Sequence, residues 1–344
     1  MRNPSITFQF RDAYLSAMPL FVEGRDLVVA RNEDYSIFWA PRPEQVERYH
    51  LIRHHGYCVD YKQLPTTIDQ RQVDADDSLY VKFSHMAENY PEMLKFSFFS
   101  EGYGCFSGTQ AYQRCDDIGL NMADVYLADM ETNDISNSIP LLIRDNKCGV
   151  VFGAARLTFK ENSQDYGLLK TALEHGIEFD LEQAKRQNGF NNNSFVFEMS
   201  KICLSKSFLK QMGGVKPSQI TQIAAQVPFV LAYSGILPEN SIFLGLQDER
   251  QDIKIQGYGI QSFLRSEAFT HFGVERRLSA YSTAMNLQEM QNAKSQMYSD
   301  ILLSSLDFLD CDDDDFYLLK KKVYECLGNL NGYSKDSVFP INLT

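Results

Sequence analysis

Three charged residues lie within two apolar runs that are typical of buried strands. Arg156 directly follows three small residues, Gly153-Ala154-Ala155, and Glu198 and Lys201 lie in the run FVFEMSKICL, residues 195–204. A charged residue in a strand most often faces solvent. Because both runs share this layout, a site is an equally good interpretation. In such a site Arg156, directly after the small residues, would face an anionic partner.

A β-hairpin and a later strand must position these residues. Ile139 to Ile143 is a short apolar run, Asp145-Asn146-Lys147 supplies turn residues, and Gly149 to Phe159 is a second run. Small residues within a strand admit a close approach to the backbone or mark a bulge. The pattern therefore predicts two strands joined by a tight turn, followed by a third strand over 195–204.

An upstream helix carries an arginine and a tyrosine on one face. The segment 44–60 follows Pro43, and its apolar residues recur at helical spacing. Arg53 and Tyr57 are spaced i, i+4 and therefore share a face of that helix. A polar loop then ends in Asp74-Ala75-Asp76-Asp77, which without further context is typical of a solvated turn.

Together these motifs resemble those of the acyl-homoserine-lactone synthases, autoinducer synthases on an acetyltransferase-like (GNAT) fold. The hairpin motif matches at Gly149-Val150-Val151-Phe152-Gly153-Ala154-Ala155-Arg156-Leu157, and the strand motif at Glu198-Met199-Ser200-Lys201. The synthases also carry an arginine, an aromatic residue four positions later and an acidic pair spaced i, i+3. With no gap, these positions correspond to Arg53, Tyr57, Asp74 and Asp77.

The resemblance implies an α/β fold, namely a GNAT-like three-layer α/β/α arrangement around a mixed, strongly twisted sheet. It covers the chain from Arg53 to about Ile260. We therefore expect an N-terminal extension over 1–43, a GNAT-like acyltransferase domain over 44–280 and a helical C-terminal extension over 281–344.

An insertion of about residues 84–137 precedes the hairpin, where the synthases have almost none. It is rich in aromatic residues and ends in a second acidic pair, Glu131 and Asp134, with Arg114 upstream. The spacing from Arg53 favours the first acidic pair over this alternative. The insertion could form a lid, one wall of an acyl pocket, or an elaborated loop region on the core.

For a synthase, the resemblance implies acyl transfer to S-adenosylmethionine. The α-amine attacks the thioester carbonyl of an acyl-carrier protein or acyl-CoA. The homoserine moiety then cyclises and expels methylthioadenosine, which yields a quorum-sensing signal. Glu198 would accept the ammonium proton, and backbone N–H groups near Gly153 to Ala155 would stabilise the oxyanion. Arg53, Arg156 and Lys201 would fix anionic groups of the substrates.

The remaining substrate contacts fall on residues of the same motifs. Asp74 and Asp77 would order the N-terminal region over S-adenosylmethionine through ion pairs with those cations. The predicted substrate-binding set is completed by Tyr57, Ser200, Gly153 and Ala154. The long chain, the insertion and Lys201, where shorter synthases carry arginine, point to the divergent LuxM/AinS type. No metal, and no cofactor beyond the two substrates, is expected.

Net charge, apolar runs and cysteine spacing argue against several classes of protein. The formal net charge of −12 argues against a nucleic-acid partner. No apolar run approaches the length of a membrane span, so we expect a cytoplasmic protein. Seven cysteines without a CxxC pair indicate reduced thiols rather than a zinc site or a disulfide framework.

Two other functions stay open from the sequence. One is a GNAT-like N-acyltransferase acting on another amine, although the usual glycine-rich pyrophosphate loop is not visible in the sequence. The other is a non-catalytic ligand-binding module on the same fold, in which the charged residues would be structural.

Helices and a strand are predicted for the rest of the chain. The patterns indicate one helix over 166–189, a second over 217–234 with an interruption at Pro228, and a third from 248 to about 259. A buried strand is predicted over 242–246, and the segment 280–328 has a helical pattern.

Overall fold

The computed structural model describes residues 26–42, 45, 48–49, 52–53, 97–100, 104–107, 125–129, 138–159, 167–190, 194–204, 215–238, 241–271, 273–307 and 313–326. The strands are β1 (Val28–Arg31), β2 (Tyr35–Trp39), β3 (Ser97–Ser100), β4 (Gly104–Ser107), β5 (Val125–Asp129), β6 (Ser138–Asp145), β7 (Val151–Phe159), β8 (Val196–Leu204), β9 (Ile242–Asp248), β10 (Leu264–Arg265), β11 (Phe269–His271) and β12 (Val274–Ser282). The helices are α1 (Gly167–Glu174), α2 (Leu181–Gln187), α3 (Pro217–Tyr233), α4 (Glu249–Gly257), α5 (Thr283–Asn292), α6 (Gln296–Asp307) and α7 (Asp313–Cys326).

Nine of these strands form one mixed sheet. The order is β1-β2-β6-β7-β8-β9-β12-β10, and β11 pairs with β12 off this path. Every neighbouring pair is antiparallel except β8 and β9, which are parallel. A parallel pair needs a long crossover between its strands, and helix α3 supplies it.

Helices cover both faces of this sheet. On one face, α3, α5, α6 and α7 bury their apolar sides against Ile37, Leu157 and Phe197 in one large core cluster. On the other face, α1 and α2 pack over the strands β9 and β12. Next to them, the helical residues Tyr49 and Ile52 pack over β6 and β7. The prediction of a three-layer α/β fold around a mixed sheet is therefore confirmed.

The predicted hairpin is present with a short turn. Strands β6 and β7 pair antiparallel, and the backbone N–H groups of Lys147 and Cys148 donate to Asp145 Oδ1 at 2.8 and 2.9 Å. A carboxylate that accepts two turn N–H groups is the usual reason for aspartate at such a position. The third strand, β8, pairs with β7 as its other neighbour.

Two helix predictions were wrong in detail. The predicted helix 166–189 is two helices, because Gly176 adopts φ +73°, a left-handed conformation that ends α1. Helix α3 runs through Pro228 without interruption and stops where Gly235 adopts φ +70°. Burial of Phe229, Val230 and Leu231 beyond the proline offsets the hydrogen bond that it removes.

The predicted extensions are parts of the main fold. Strands β1 and β2 lie before residue 44, yet both belong to the nine-stranded sheet. The segment predicted to be helical from 280 begins with the end of β12, and α5 starts only after Ser282, whose hydroxyl caps it. Helices α5 to α7 contribute Met290, Ile301 and Phe316 to the large core. Strands β10 to β12 were not predicted.

The insertion 84–137 contains a separate three-stranded antiparallel sheet in the order β4-β3-β5. The sequence indicated only an aromatic-rich segment there. Both acidic pairs, Asp74 with Asp77 and Glu131 with Asp134, and the residue Tyr57 lie outside the described residues.

Gly153 is packed too tightly to carry a side chain. A Cβ built there would lie 2.8 Å from Leu204 Cδ2 and 3.0 Å from Ile143 Cβ. We expect Gly153→Ala to lower the free energy of unfolding by about 1–3 kcal/mol, the usual effect of overpacking a core. Urea denaturation measures it.

Gly257→Ala is the matched control, because a Cβ there meets nothing within 4 Å and the residue ends helix α4. This change should leave stability equal or raise it by up to about 1 kcal/mol. Equal midpoints for Gly153→Ala and the unmodified protein would show that Gly153 is not held by this packing.

Candidate active site

The sheet opens between β8 and β9. The two strands pair over Val196–Ile242, Phe197–Phe243 and Glu198–Leu244. Beyond these pairs β8 continues to Leu204 and β9 to Asp248 without pairing to each other. The backbone groups of β8 and β9 that face each other beyond Glu198 and Leu244 therefore do not pair these two strands.

A cavity of about 430 Å³, here called the cleft, fills this opening. Helix α1 borders it on one face of the sheet and helix α3 on the other. It is lined by Gly167, Leu168, Thr171, Glu198, Met199, Ser200, Ile202, Leu204, Pro217, Ile220, Thr221, Ala224, Ala225, Pro228, Phe243, Gly245, Leu246, Gln247, Gln251, Ile255, Ile260, His271 and Arg276. Most of the described wall is apolar, and the ionisable side chains among its described residues are Glu198, His271 and Arg276.

Glu198 lies at the closed end of the cleft, beside the last pair of β8 and β9. Its side chain is buried, at 2% exposure, and Oε2 accepts a hydrogen bond of 3.1 Å from the backbone N–H of Leu168 in the first turn of α1. First-turn N–H groups of a helix have no partner within the helix. The carboxylate therefore serves α1 as a cap, while it still faces the cleft.

Four side chains form a block on one face of β7 and β8. Arg156 is directly opposite Ser200, and Thr158 is directly opposite Glu198. Directly opposite residues of an antiparallel pair lie on the same face, with diagonal neighbours roughly 7–8 Å apart. Arg156 and Glu198 are such a diagonal pair. Thr158 Oγ1 and Ser200 Oγ are buried and make no hydrogen bond to any described residue.

Arg156 also lines a second cavity, of about 350 Å³, here called the arginine cavity. It lies where β2 ends while β6 continues, and helix α7 forms one wall. The lining residues are Trp39, Ala40, Pro41, Tyr49, Arg53, Ser138, Pro140, Arg156, Leu318, Lys321, Lys322 and Glu325. The charged side chains among the described lining residues are Arg53, Arg156, Lys321, Lys322 and Glu325, and the Glu325 carboxylate lies 3.7 Å from Lys321 Nζ. Guanidinium and ammonium groups are the usual donors to the anionic groups of a ligand.

The two arginines in this cavity are both about 1% exposed. Arg53 donates to the hydroxyl of Tyr49, and its guanidinium lies 5.1 Å from the centre of the Tyr49 ring. The same helical turn is tied to β8, since Cys203 Sγ lies 3.9 Å from the carbonyl of Ile52. The predicted partners Arg53 and Arg156 are thus brought together, from segments more than a hundred residues apart.

One predicted role moves to another strand. Oxyanion donors were expected at a splayed strand near Gly153 to Ala155. These residues lie in the middle of β7, which is paired with β6 on one side. On the other side, the pairing with β8 shifts register between Ala154 and Arg156, as a bulge does. The strands that separate are β8 and β9. Lys201 is on β8, within the stretch that no longer pairs with β9.

Three parts of the two cavities were missed from the sequence. Arg276 and His271 come from β12 and β11, strands that were not predicted, and Trp39 comes from the presumed extension. In VERRLSAYS, charged residues precede an alternating apolar run. This pattern differs from the three small residues that precede Arg156, and it did not indicate that Arg276 lines a cavity.

The polar side chains in the floor of the cleft are firmly held. Burial raises the pKa of Tyr281, so its hydroxyl stays protonated and donates to Gln247 Oε1 at 2.6 Å. A Cβ at Gly245 would lie 2.7 Å from Gln247 Nε2. The absence of a side chain at Gly245 therefore provides the space for the Gln247 amide.

No helix in the described part of the chain is both long and apolar enough to span a membrane. No family model and no curated protein matches the sequence.

Similar chains are found among solved structures. FeeM, an N-acyl amino acid synthase from uncultured soil microbes, has 10% identity over 46% of this chain and 76% of its own, with a TM-score of 0.32. FdhC, a nucleotide-linked sugar GNAT, has 10% identity over 77% of this chain and 96% of its own, with a TM-score of 0.33. The acyl-homoserine-lactone synthase LasI has 13% identity over 59% of this chain and 80% of its own, with a TM-score of 0.29. At TM-scores this low, these likenesses carry no argument about chemistry, which has to come from the residues of the two cavities.

The cap that Glu198 provides predicts a difference between two substitutions. Glu198→Ala leaves the Leu168 N–H without its acceptor and should lower the free energy of unfolding by about 1–3 kcal/mol. Glu198→Gln keeps an acceptor oxygen and should cost under about 1 kcal/mol. Urea denaturation measures both.

Asp180→Ala is the control for this pair of changes, because Asp180 accepts from the Gln183 N–H at 2.8 Å and caps α2 at an exposed position. Its loss should cost about 0.5–2 kcal/mol. If Glu198→Ala were as stable as the unmodified protein, the hydrogen bond to Leu168 would contribute nothing.

Proposed function

We propose that this chain is an acyltransferase that moves an acyl group from a thioester to the α-amine of S-adenosylmethionine, as an acyl-homoserine-lactone synthase. The observation that carries the proposal is the block of Arg156, Thr158, Glu198 and Ser200 between the arginine cavity and the cleft. It offers a cation and a carboxylate to one acceptor, beside an opening suited to a thioester.

An α-amino acid fits the spacing of this block. Its carboxylate and its amine are separated by a single carbon, and Arg156 and Glu198 are diagonal neighbours, a spacing of roughly 7–8 Å with a somewhat shorter distance between the β-carbons. Arginine binds a carboxylate through two parallel hydrogen bonds. With the carboxylate on Arg156, the amine lies towards Glu198, and the hydroxyls of Thr158 and Ser200 lie within the same block to bind it or a water.

The cleft suits the acyl donor. A phosphopantetheine arm carries amide groups that can pair with the edges of β8 and β9 where these strands no longer pair with each other. Apolar residues from α3 and α4, such as Ile220, Ala224 and Ile255, line the side of the cleft that would take the acyl chain. The N–H groups of the separated strands replace Gly153 to Ala155 as candidate donors to the oxyanion.

The first reaction step is acyl transfer. Glu198 takes a proton from the ammonium group, because only the free amine is nucleophilic. The amine nitrogen attacks the thioester carbon and the C–S bond breaks. The thiolate takes the proton held by Glu198, and the nitrogen releases its second proton to solvent as the amide forms. In the second step a carboxylate oxygen of the homoserine moiety attacks its γ-carbon. The C–S⁺ bond breaks, and methylthioadenosine leaves as a neutral thioether.

S-adenosylmethionine as the acceptor is supported by the motif resemblance and by the aromatic wall of the arginine cavity. Trp39 and Tyr49 line that wall, and aromatic faces attract cations such as a sulfonium. The acidic pairs at 74 and 77 or at 131 and 134 remain candidates for ordering the N-terminal region, with Tyr57 beside them. Lys201 remains a candidate for binding an anionic group.

The donor is acyl-carrier protein or acyl-CoA. A basic run of lysines at 201, 206, 210 and 216 is a candidate dock for either. Lys216 is already occupied in part, since its Nζ lies 3.4 Å from Asp34 Oδ2, and the same carboxylate pairs with Lys147 at 2.5 Å. The LuxM/AinS type remains part of the proposal on the strength of the insertion and of Lys201.

The reaction is tested by its products. Purified protein with S-adenosylmethionine and an acyl thioester should release methylthioadenosine and an acyl-homoserine lactone in equal amounts, measured by mass spectrometry. Glu198→Gln should lower turnover by about 10²–10⁴-fold, the usual effect of losing a general base. Asp180→Asn, another carboxylate that caps a helix, should keep full turnover.

Consumption of the thioester without methylthioadenosine would assign the protein to N-acyl transfer on another amine. Full turnover by Glu198→Gln would remove Glu198 from the mechanism.

Acceptor binding can be measured without any donor. Trp39 is the only tryptophan of the chain and lines the arginine cavity. S-adenosylmethionine should therefore change the tryptophan fluorescence in a saturable titration, and methylthioadenosine should compete. An unchanged spectrum at saturating S-adenosylmethionine, with binding shown by calorimetry, would place the acceptor elsewhere.

A further inference from the structure

The open end of the cleft holds a guanidinium to which the proposed reaction gives no role. Arg276 lies on β12, directly opposite Asp248, the last residue of β9, and it lines the cleft. Its Nε is buried and makes no hydrogen bond within the described part of the chain. The Asp248 carboxylate is engaged elsewhere, since it caps α4 by accepting from the Gln251 N–H at 2.8 Å.

Two neighbouring arginines have hydrogen-bond or ion-pair partners within the described part of the chain. Arg277 donates to the carbonyl of Ser266 at 3.4 Å, and Arg265 forms an ion pair with Asp252. Among the described residues, no carboxylate lies within ion-pair distance of Arg276. A guanidinium is always charged and presents a fork of donors that matches phosphate or carboxylate.

The distance between Glu198 and Arg276 along the cleft indicates the length of ligand that could reach both. On β9, Leu244 pairs with Glu198, and Asp248, four residues later, lies opposite Arg276. Four residues span roughly 13 Å at the usual rise of a strand. A pantetheine arm is equivalent in length to four or five extended residues, roughly 13–18 Å. A thioester held beside Glu198 with its arm along β9 therefore brings its phosphate to the level of Arg276.

We propose that Arg276 binds the phosphate of the phosphopantetheine arm of the acyl donor at the open end of the cleft. This inference depends on the proposed function only for the cleft as the donor site, and not for S-adenosylmethionine as the acceptor. Among the ionisable side chains that line the cleft, Arg276 and His271 lie at this end and Glu198 at the other. The carboxylate and the guanidinium thus mark the reacting end and the anchoring end of one extended ligand.

The test compares an acyl-phosphopantetheine with the acyl-pantetheine that lacks the phosphate. In the unmodified protein, loss of the phosphate should lower kcat/KM by about 10- to 100-fold, as expected for charged hydrogen bonds. In Arg276→Met the same loss should cost at most about twofold, because the partner of the phosphate is gone. Arg277→Met is the control and should discriminate like the unmodified protein.

A binding measurement separates this inference from the proposed function. Calorimetry with 4′-phosphopantetheine alone should show binding that weakens by about 10-fold or more in Arg276→Met. Should the Met variant fail to fold, Arg276→Gln provides the same comparison. If this binding depends on Arg276 while methylthioadenosine is never released, the inference stands and the proposed acceptor fails.

Two results would overturn the inference. One is equal discrimination between the two thioesters by Arg276→Met and the unmodified protein. The other is a KM that rises in Arg276→Met for the acceptor but not for the donor, which would make Arg276 a ligand of the acceptor carboxylate.

Discussion

The separation of β8 from β9 is the constraint on which the rest of the site depends. Groups of a sheet backbone are almost always paired when buried, yet these strands pair over three positions and then continue apart. Helices α1 and α3 close the opening from the two faces, so it becomes a walled cleft. Both ends of the proposed donor site follow from this geometry, with Glu198 where pairing stops and Arg276 where β9 ends.

The second constraint is the burial of charge beside this opening. Arg53, Arg156 and Glu198 are each at most 2% exposed, and a buried charge requires compensating partners. The protein supplies such partners, for example in the Tyr49 hydroxyl for Arg53 and the Leu168 N–H for Glu198. In the proposed function, the carboxylate and the amine of the substrate would bind beside them, across β7 and β8.

The parts of the site that were predicted from the sequence are those encoded by short local patterns. The hairpin with Arg156 and the strand with Glu198 follow from apolar runs and turn residues, and their pairing follows from adjacency in the sheet. Gly153 to Ala155 were predicted to admit a close approach to the backbone or to mark a bulge. Gly153 packs against Leu204 and Ile143, and the pairing of β7 with β8 shifts register between Ala154 and Arg156. The opening between β8 and β9, Trp39 and Arg276 depend on contacts between distant segments, which no local pattern encodes.

The central claim is that Arg156 and Glu198 hold the two ends of one α-amino acid. The most direct measurement compares S-adenosylmethionine with its decarboxylated form as acceptors for acyl transfer. Loss of the carboxylate should lower kcat/KM at least about 10-fold in the unmodified protein, and at most about twofold in Arg156→Met, since the partner of the carboxylate is absent. If Arg156→Met kept the full preference for S-adenosylmethionine, the claim would be contradicted.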